Sequence, residues 1–252
     1  MRIFVTTPSV KSGSTLLAWL IKRHSYLNHT DRLLEQIELG SMLNVLDHIP
    51  EWRRLHGEYG QAVGNPDMIE KIVNFTDSII NPENNNHCIV KFTNFSSFRW
   101  LSHVFPNDKF VVIVRDIYDW FASVKVWNTS RHTSWDMHHV GMCINKAANS
   151  LTVLPDIKVV HFEDLINDPR PVMSKVYNYL GLPDEPISLD GHEDIFKMFS
   201  CKPTIIEPIN NELLFKSPIG RASELTEAEI ASISKLSSAK NIISLYSDER
   251  KL

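Results

Sequence analysis

The stretch FVVIV, residues 110–114, is apolar at every position and rich in β-branched side chains. A strand with one wet face alternates apolar and polar residues. An unbroken apolar run needs cover on both faces, which is the condition of a strand inside a parallel sheet. Residues 2–7, 87–92 and 158–162 also read as strands, and 109–114 frames the apolar run itself. Helical spacing lies between them. Leu16, Leu17, Leu20 and Ile21 form one apolar face, with Lys22 and Arg23 turned away. Residues 31–46 and 116–126 also read as helices. The segment PRPVMSKVYNYLGLP opens on proline and stops at Gly181, with Pro183 just beyond. Thr226 and Glu229 have the spacing of a capping box. Strands alternating with helices predict an α/β fold with a mainly parallel central sheet flanked by helices. The 252 residues contain no repeat or linker, so a single domain over 1–252 is expected.

Net charge is −4, from 26 basic and 30 acidic residues. No broad positive field exists to attract nucleic acid or an anionic membrane, whereas a small anion needs only a local cluster of positive groups. No apolar run approaches the roughly 20 residues of a membrane span, and the opening MRIFVTTP is too short in apolar residues for a secretion signal. Three scattered cysteines fit neither a disulfide framework nor a zinc site. A reducing, cytoplasmic setting is expected.

The local cluster stands at KSGST, residues 11–15, where the first strand gives way to a helix. Free N–H groups at a helix start and the helix dipole both favour negative charge. Gly13 permits close approach, Ser12, Ser14 and Thr15 offer hydroxyls, and Lys11 adds a full positive charge. The order is not that of a nucleoside-triphosphate loop, which ends in Gly-Lys-Ser/Thr after an earlier glycine and four intervening residues. Here lysine precedes glycine, and no glycine stands at the matching position before Gly13. As a bland alternative, the same residues would serve a capped structural helix.

A second element follows the apolar strand: VIVRDIYDWFASV places Arg115 at the strand end and Ser123 eight residues later. Taken singly, Arg115 could pair with Asp116 or Asp119. Together with KSGST, the pair resembles the sulfotransferases that use 3′-phosphoadenosine 5′-phosphosulfate (PAPS), as do VVHFEDLINDPRPVMSKVYNYLGLP and GRASELTEAEI. The resemblance is closer to the carbohydrate and bacterial-type branches than to the cytosolic phenol and steroid branch. It spans most of the chain, though residues 32–86 carry no signature.

What the resemblance implies is a P-loop-like sulfotransferase fold, PAPS as sulfuryl donor, adenosine 3′,5′-bisphosphate (PAP) as product, and no metal. Lys11, Ser12, Gly13, Ser14 and Thr15 would hold the 5′-phosphosulfate end, with Lys11 also catalytic. Arg115 and Ser123 would clamp the 3′-phosphate, with Lys216, Gly220 and Arg221 supplying the C-terminal loop. The phenol and steroid enzymes end their second strand in Lys-Thr-His, whose histidine is the base. Here Lys91 matches the lysine, but Thr93 stands at the histidine position. Asp31 or Glu35 would then be the base, and Lys91 an aid to the sulfuryl group. The acceptor would be a small molecule or glycan: a carbohydrate, lipid or natural-product hydroxyl. Two other classes stay open, a kinase-like phosphotransferase and a non-catalytic nucleotide-binding protein on the same fold.

Overall fold

The computed structural model describes residues 2–7, 12–27, 33–35, 87–91, 105–131, 156–187 and 220–236, with isolated helical positions at 70, 74 and 78; side chains at 33–35 and 126–131 are not among those described. Five parallel strands form one sheet: β1 (Arg2–Thr6), β2 (Leu33–Glu35), β3 (Cys88–Lys91), β4 (Lys109–Val114) and β5 (Lys158–His161), in the order β2-β3-β1-β4-β5. Helices α1 (Ser14–Lys22), α2 (Ile117–Arg131), α3 (Phe162–Asn167), α4 (Pro169–Leu180) and α5 (Glu227–Lys235) accompany it.

The apolar run of β4 is covered on both sides, as its composition demands. Ile3, Val5, Val111 and Ile113 join a core with Leu16, Leu17, Leu20 and Ile21 of α1 and Met173, Val176, Tyr177 and Leu180 of α4. The alternate residues Phe4 and Phe110 point the other way, their rings stacked with centroids 5.0 Å apart. Helix α1 is more deeply buried than its one-faced pattern predicts. Ala18 and Trp19 are covered as well, and α1 shares the core with both the sheet and α4.

One expectation fails. Residues 33–35 lie within the segment read as a helix, yet they form β2, with Leu33, Leu34 and Glu35 beside Ile89, Val90 and Lys91 of β3. The apolar spacing of LLEQIEL suits a helix, but a three-residue strand leaves no periodic trace. Backbone pairing along β3 outweighs so weak a local preference. Smaller differences concern strand ends. Residue 162, expected to close a strand, instead opens α3. Among the described residues, no helix is long and apolar enough to cross a membrane.

The capping box of α5 forms as its spacing predicts: Glu229 N–H donates to Thr226 Oγ1, and Thr226 N–H donates to Glu229 Oε2 at 2.8 Å. Lys125 of α2 also reaches the Glu229 carboxylate at 2.8 Å, tying α5 to α2. These bonds, that from Lys125 first, hold the Glu229 carboxyl at about 2. The folded value lies below the unfolded one, so the contribution is complete above the ordinary carboxylate range and disappears as pH falls towards 2. The pair is partly solvated, so the effect is modest. Glu229→Gln is therefore expected to flatten that part of the acid limb in a plot of Tm against pH.

Candidate functional site

The connection leaving β1 turns towards β2, while that leaving β4 turns towards β5, so the two paths diverge at the carboxyl ends of adjacent strands. Such a point is where open α/β sheets form a ligand crevice. In the register Thr6 stands beside Val112 and Val5 beside Lys91, which brings residues 12–15, Lys91 and Arg115 to one edge of the sheet.

At the β1 side, Gly13 has φ +90°, and its carbonyl accepts the first helical bond of α1 from Leu17 N–H at 3.0 Å. A Cβ on Gly13 would lie 2.4 Å from a ring carbon of Phe162 and 3.3 Å from the Ile113 Cδ1. The position thus combines a left-handed backbone with a contact only glycine can make. No side chain caps the start of α1 among the described residues, and its first turn holds no acid. The N–H groups there are directed out of the helix end, flanked by the hydroxyls of Ser12, Ser14 and Thr15. Lys91, only 2% exposed at the end of β3, donates from Nζ to Thr15 Oγ1 at 2.8 Å. The lysine singled out from the second predicted strand therefore belongs to the cradle of the first.

At the β4 side, Arg115 is 5% exposed, with its guanidinium 4.7 Å from the centroid of the Phe162 ring. Burial pulls its pKa down from the ordinary value; Glu163, Asp119 and Asp116 oppose that shift, and Arg221 reinforces it. An arginine nonetheless stays charged at neutral pH. The acids that offered it a structural explanation have further work. Asp116 Oδ1 accepts from Tyr118 N–H and Asp119 N–H, both at 3.0 Å, and caps α2. Glu163 accepts from Asp116 N–H at 3.0 Å. Eight residues beyond Arg115, Ser123 Oγ is buried with no hydrogen-bond partner among the described residues. A buried hydroxyl without a partner among the described residues, on the helix that follows a buried cation, is the kind of donor set an anion requires.

The turn Arg221–Glu224, preceded by Gly220, packs against α2. It carries Arg221 close enough to Arg115 for the two charges to repel. Arg221 also holds Glu224 through Nε at 2.9 Å. The Gly220 N–H is engaged by Asp119, so this glycine shapes the turn and offers no free donor. Of the other residues singled out in the sequence, Lys11, Asp31 and Lys216 lie outside the described residues, as does Thr93. Glu35 ends β2 beside Lys91 in the register.

Phe162 and Glu163 escaped the sequence reading of this site, and Asp119 entered it only as a possible partner of Arg115. The one signal available was their place inside the two motifs, HFEDL and RDIYDWFAS. Phe162 matters most, since a single ring touches both Gly13 and Arg115.

The sequence matches a family model described as "Sulfotransferase family" over residues 3–186. Among solved structures, the chain is similar to the sulfotransferase domain from the Synechococcus PCC 7002 olefin synthase, at 15% identity and a TM-score of 0.55, covering 98% of this chain and 95% of that one. It is similar also to a mouse sulfotransferase, SULT7A1, complexed with PAP, at 15% identity and a TM-score of 0.52, covering 93% and 82% of the respective chains. At such identities the likeness is one of fold. No curated protein matches the sequence.

Proposed function

The chain belongs to the sulfotransferase family, and from that premise we propose that it transfers a sulfuryl group from PAPS to an acceptor hydroxyl, working as one domain over residues 1–252. The observation that carries this reading is the Phe162 ring, with Gly13 against it and the Arg115 guanidinium over it. Two anion-holding groups so joined suit a nucleotide bearing phosphates at both its 3′ and 5′ positions. PAP in the similar mouse structure is such a molecule.

Arg115 and Ser123 would hold the 3′-phosphate, with Arg221 and Lys216 reinforcing the charge. The first-turn N–H groups of α1, Gly13 and the hydroxyls of Ser12, Ser14 and Thr15 would hold the 5′ end. PAPS supplies an activated sulfuryl group, whose bond to the bridging phosphate oxygen breaks as a bond to the acceptor oxygen forms. Lys11 and Lys91 would place positive charge where the leaving oxygen becomes negative. Asp31 or Glu35 would accept the acceptor's proton, which requires hydrogen-bond reach of its hydroxyl. The 3′ clamp fixes the donor's far end, so its binding energy is spent on holding the reacting end in line. A carbohydrate, lipid or small natural product is the acceptor class we favour, because Thr93 replaces the histidine base of the phenol and steroid enzymes.

Thermal-shift titration tests the donor site: PAP should stabilise the protein well above ATP with magnesium, and the reverse ranking would favour a phosphotransferase. Transfer of labelled sulfate from PAPS into an acceptor panel tests the reaction. Lys11→Ala should weaken PAP binding only in part, since the 3′ clamp is untouched, and lower transfer by about a hundredfold, the loss typical of one prearranged donor. Stabilisation by PAP with no transfer to any acceptor would leave a nucleotide-binding protein.

A further inference from the structure

We infer that Asp119 is a positioning residue that latches the Gly220–Glu224 turn onto α2 and so sets Arg221 over the Arg115–Ser123 pair. The inference rests on the nucleotide reading above and adds to it a residue that contacts no ligand. Both carboxylate oxygens of Asp119 are committed to the turn. Oδ2 accepts from Gly220 N–H and Oδ1 from Ala222 N–H, each at 2.7 Å. These two donors flank residue 221, so the carboxylate grips the backbone on either side of the arginine.

Asp119 is suited to this by its place in α2. It lies four residues before Ser123 and therefore on the same helix face. It is also 4% exposed, so its hydrogen bonds are little weakened by solvent. Its own N–H is fixed by the Asp116 carboxylate at 3.0 Å, which orients the first turn of α2. The turn meets the latch halfway: Gly220 adopts φ +83°, which presents its N–H and that of Ala222 to one acceptor. A carboxylate held between two N–H groups occupies the place an anionic ligand would otherwise take. The turn therefore acts on a nucleotide through the Arg221 side chain, whose guanidinium has donors beyond those used on Glu224.

Hydrogen exchange and nucleotide titration, run on the full chain, test the latch. Asp119→Asn keeps the shape but turns one acceptor into a donor facing a donor. Exchange at the Gly220 and Ala222 amides should then accelerate, while the amides of β1 and β4 keep their protection. The preference for PAP over adenosine 5′-monophosphate, which lacks the 3′-phosphate, should fall by about tenfold, the worth of one charge-assisted hydrogen bond. Affinity for the monophosphate itself should hold. Arg221→Ala should lower the preference similarly, and the double variant should be no worse than Arg221→Ala, because both changes remove one contact. Unchanged exchange at the two amides would overturn the latch, whatever the nucleotide results. Faster exchange with an unchanged preference would overturn the positioning role and leave a structural clasp. A wild-type chain with no preference for PAP over the monophosphate would refute the nucleotide reading, and with it the role assigned to Arg221.

Discussion

Arg115→Ala is expected to weaken PAP binding by about a thousandfold, while affinity for adenosine 5′-monophosphate changes little. The guanidinium is already stripped of water by its burial against Phe162, and the surrounding acids keep it charged. A ligand phosphate therefore meets a cation whose desolvation was completed in folding. Truncating one member of a buried, hydrogen-bonded charge pair costs about 2–5 kcal/mol, and about 4 kcal/mol corresponds to a thousandfold in Kd. Arg115→Lys should fall between, since an ammonium keeps the charge but loses the planar fork and its stacking on the ring. Isothermal titration calorimetry with both nucleotides separates the cases. Equal losses for both would mean that Arg115 supports the fold near the site and does not grip the 3′-phosphate.

Gly13→Ala should lower stability by about 3 kcal/mol and remove PAP binding with it. Two costs combine. A left-handed backbone costs a non-glycine residue roughly 1–2 kcal/mol. Overpacking against a filled core adds about 1–3 kcal/mol, and here the new Cβ would sit 2.4 Å from the Phe162 ring. Relief must come through the ring, and moving the ring shifts the surface on which Arg115 lies. Phe162→Leu in the alanine background should recover part of the stability, because it answers the contact but not the backbone. Urea denaturation reads both effects. A loss within about 0.5 kcal/mol, the range of an ordinary surface change, would contradict the close approach.

The outline of this molecule was readable from residues alone because its cues are local. The unbroken apolar run of 110–114 demanded cover on both faces, and it lies in the core of a parallel sheet. Proline at the start and glycine at the end delimited Pro169–Leu180, and the Thr226–Glu229 spacing foretold the capping box. The short strand at Leu33–Glu35 was misread as part of a helix, since its three residues owe their conformation to the partner strand. The two motifs were legible as candidate anion-holding sets; in the structure Gly13 and Arg115 meet on the Phe162 ring, and Thr15 meets Lys91.

What the residues by themselves determined was the alternation of strands and helices and the chemistry available at each strand end. Those properties depend on spacing and side-chain type within a few residues, where the chain's own stereochemistry rules. Only the tertiary structure decided how the strand ends were joined: that Lys91 would reach Thr15, that one ring would carry Gly13 and Arg115, and that Asp119 would clasp a turn a hundred positions away. The physical reason is that these contacts link residues 47 to 149 positions apart. They arise from sheet order and the burial of shared apolar surface, and neither leaves a periodic mark on the segments it brings together.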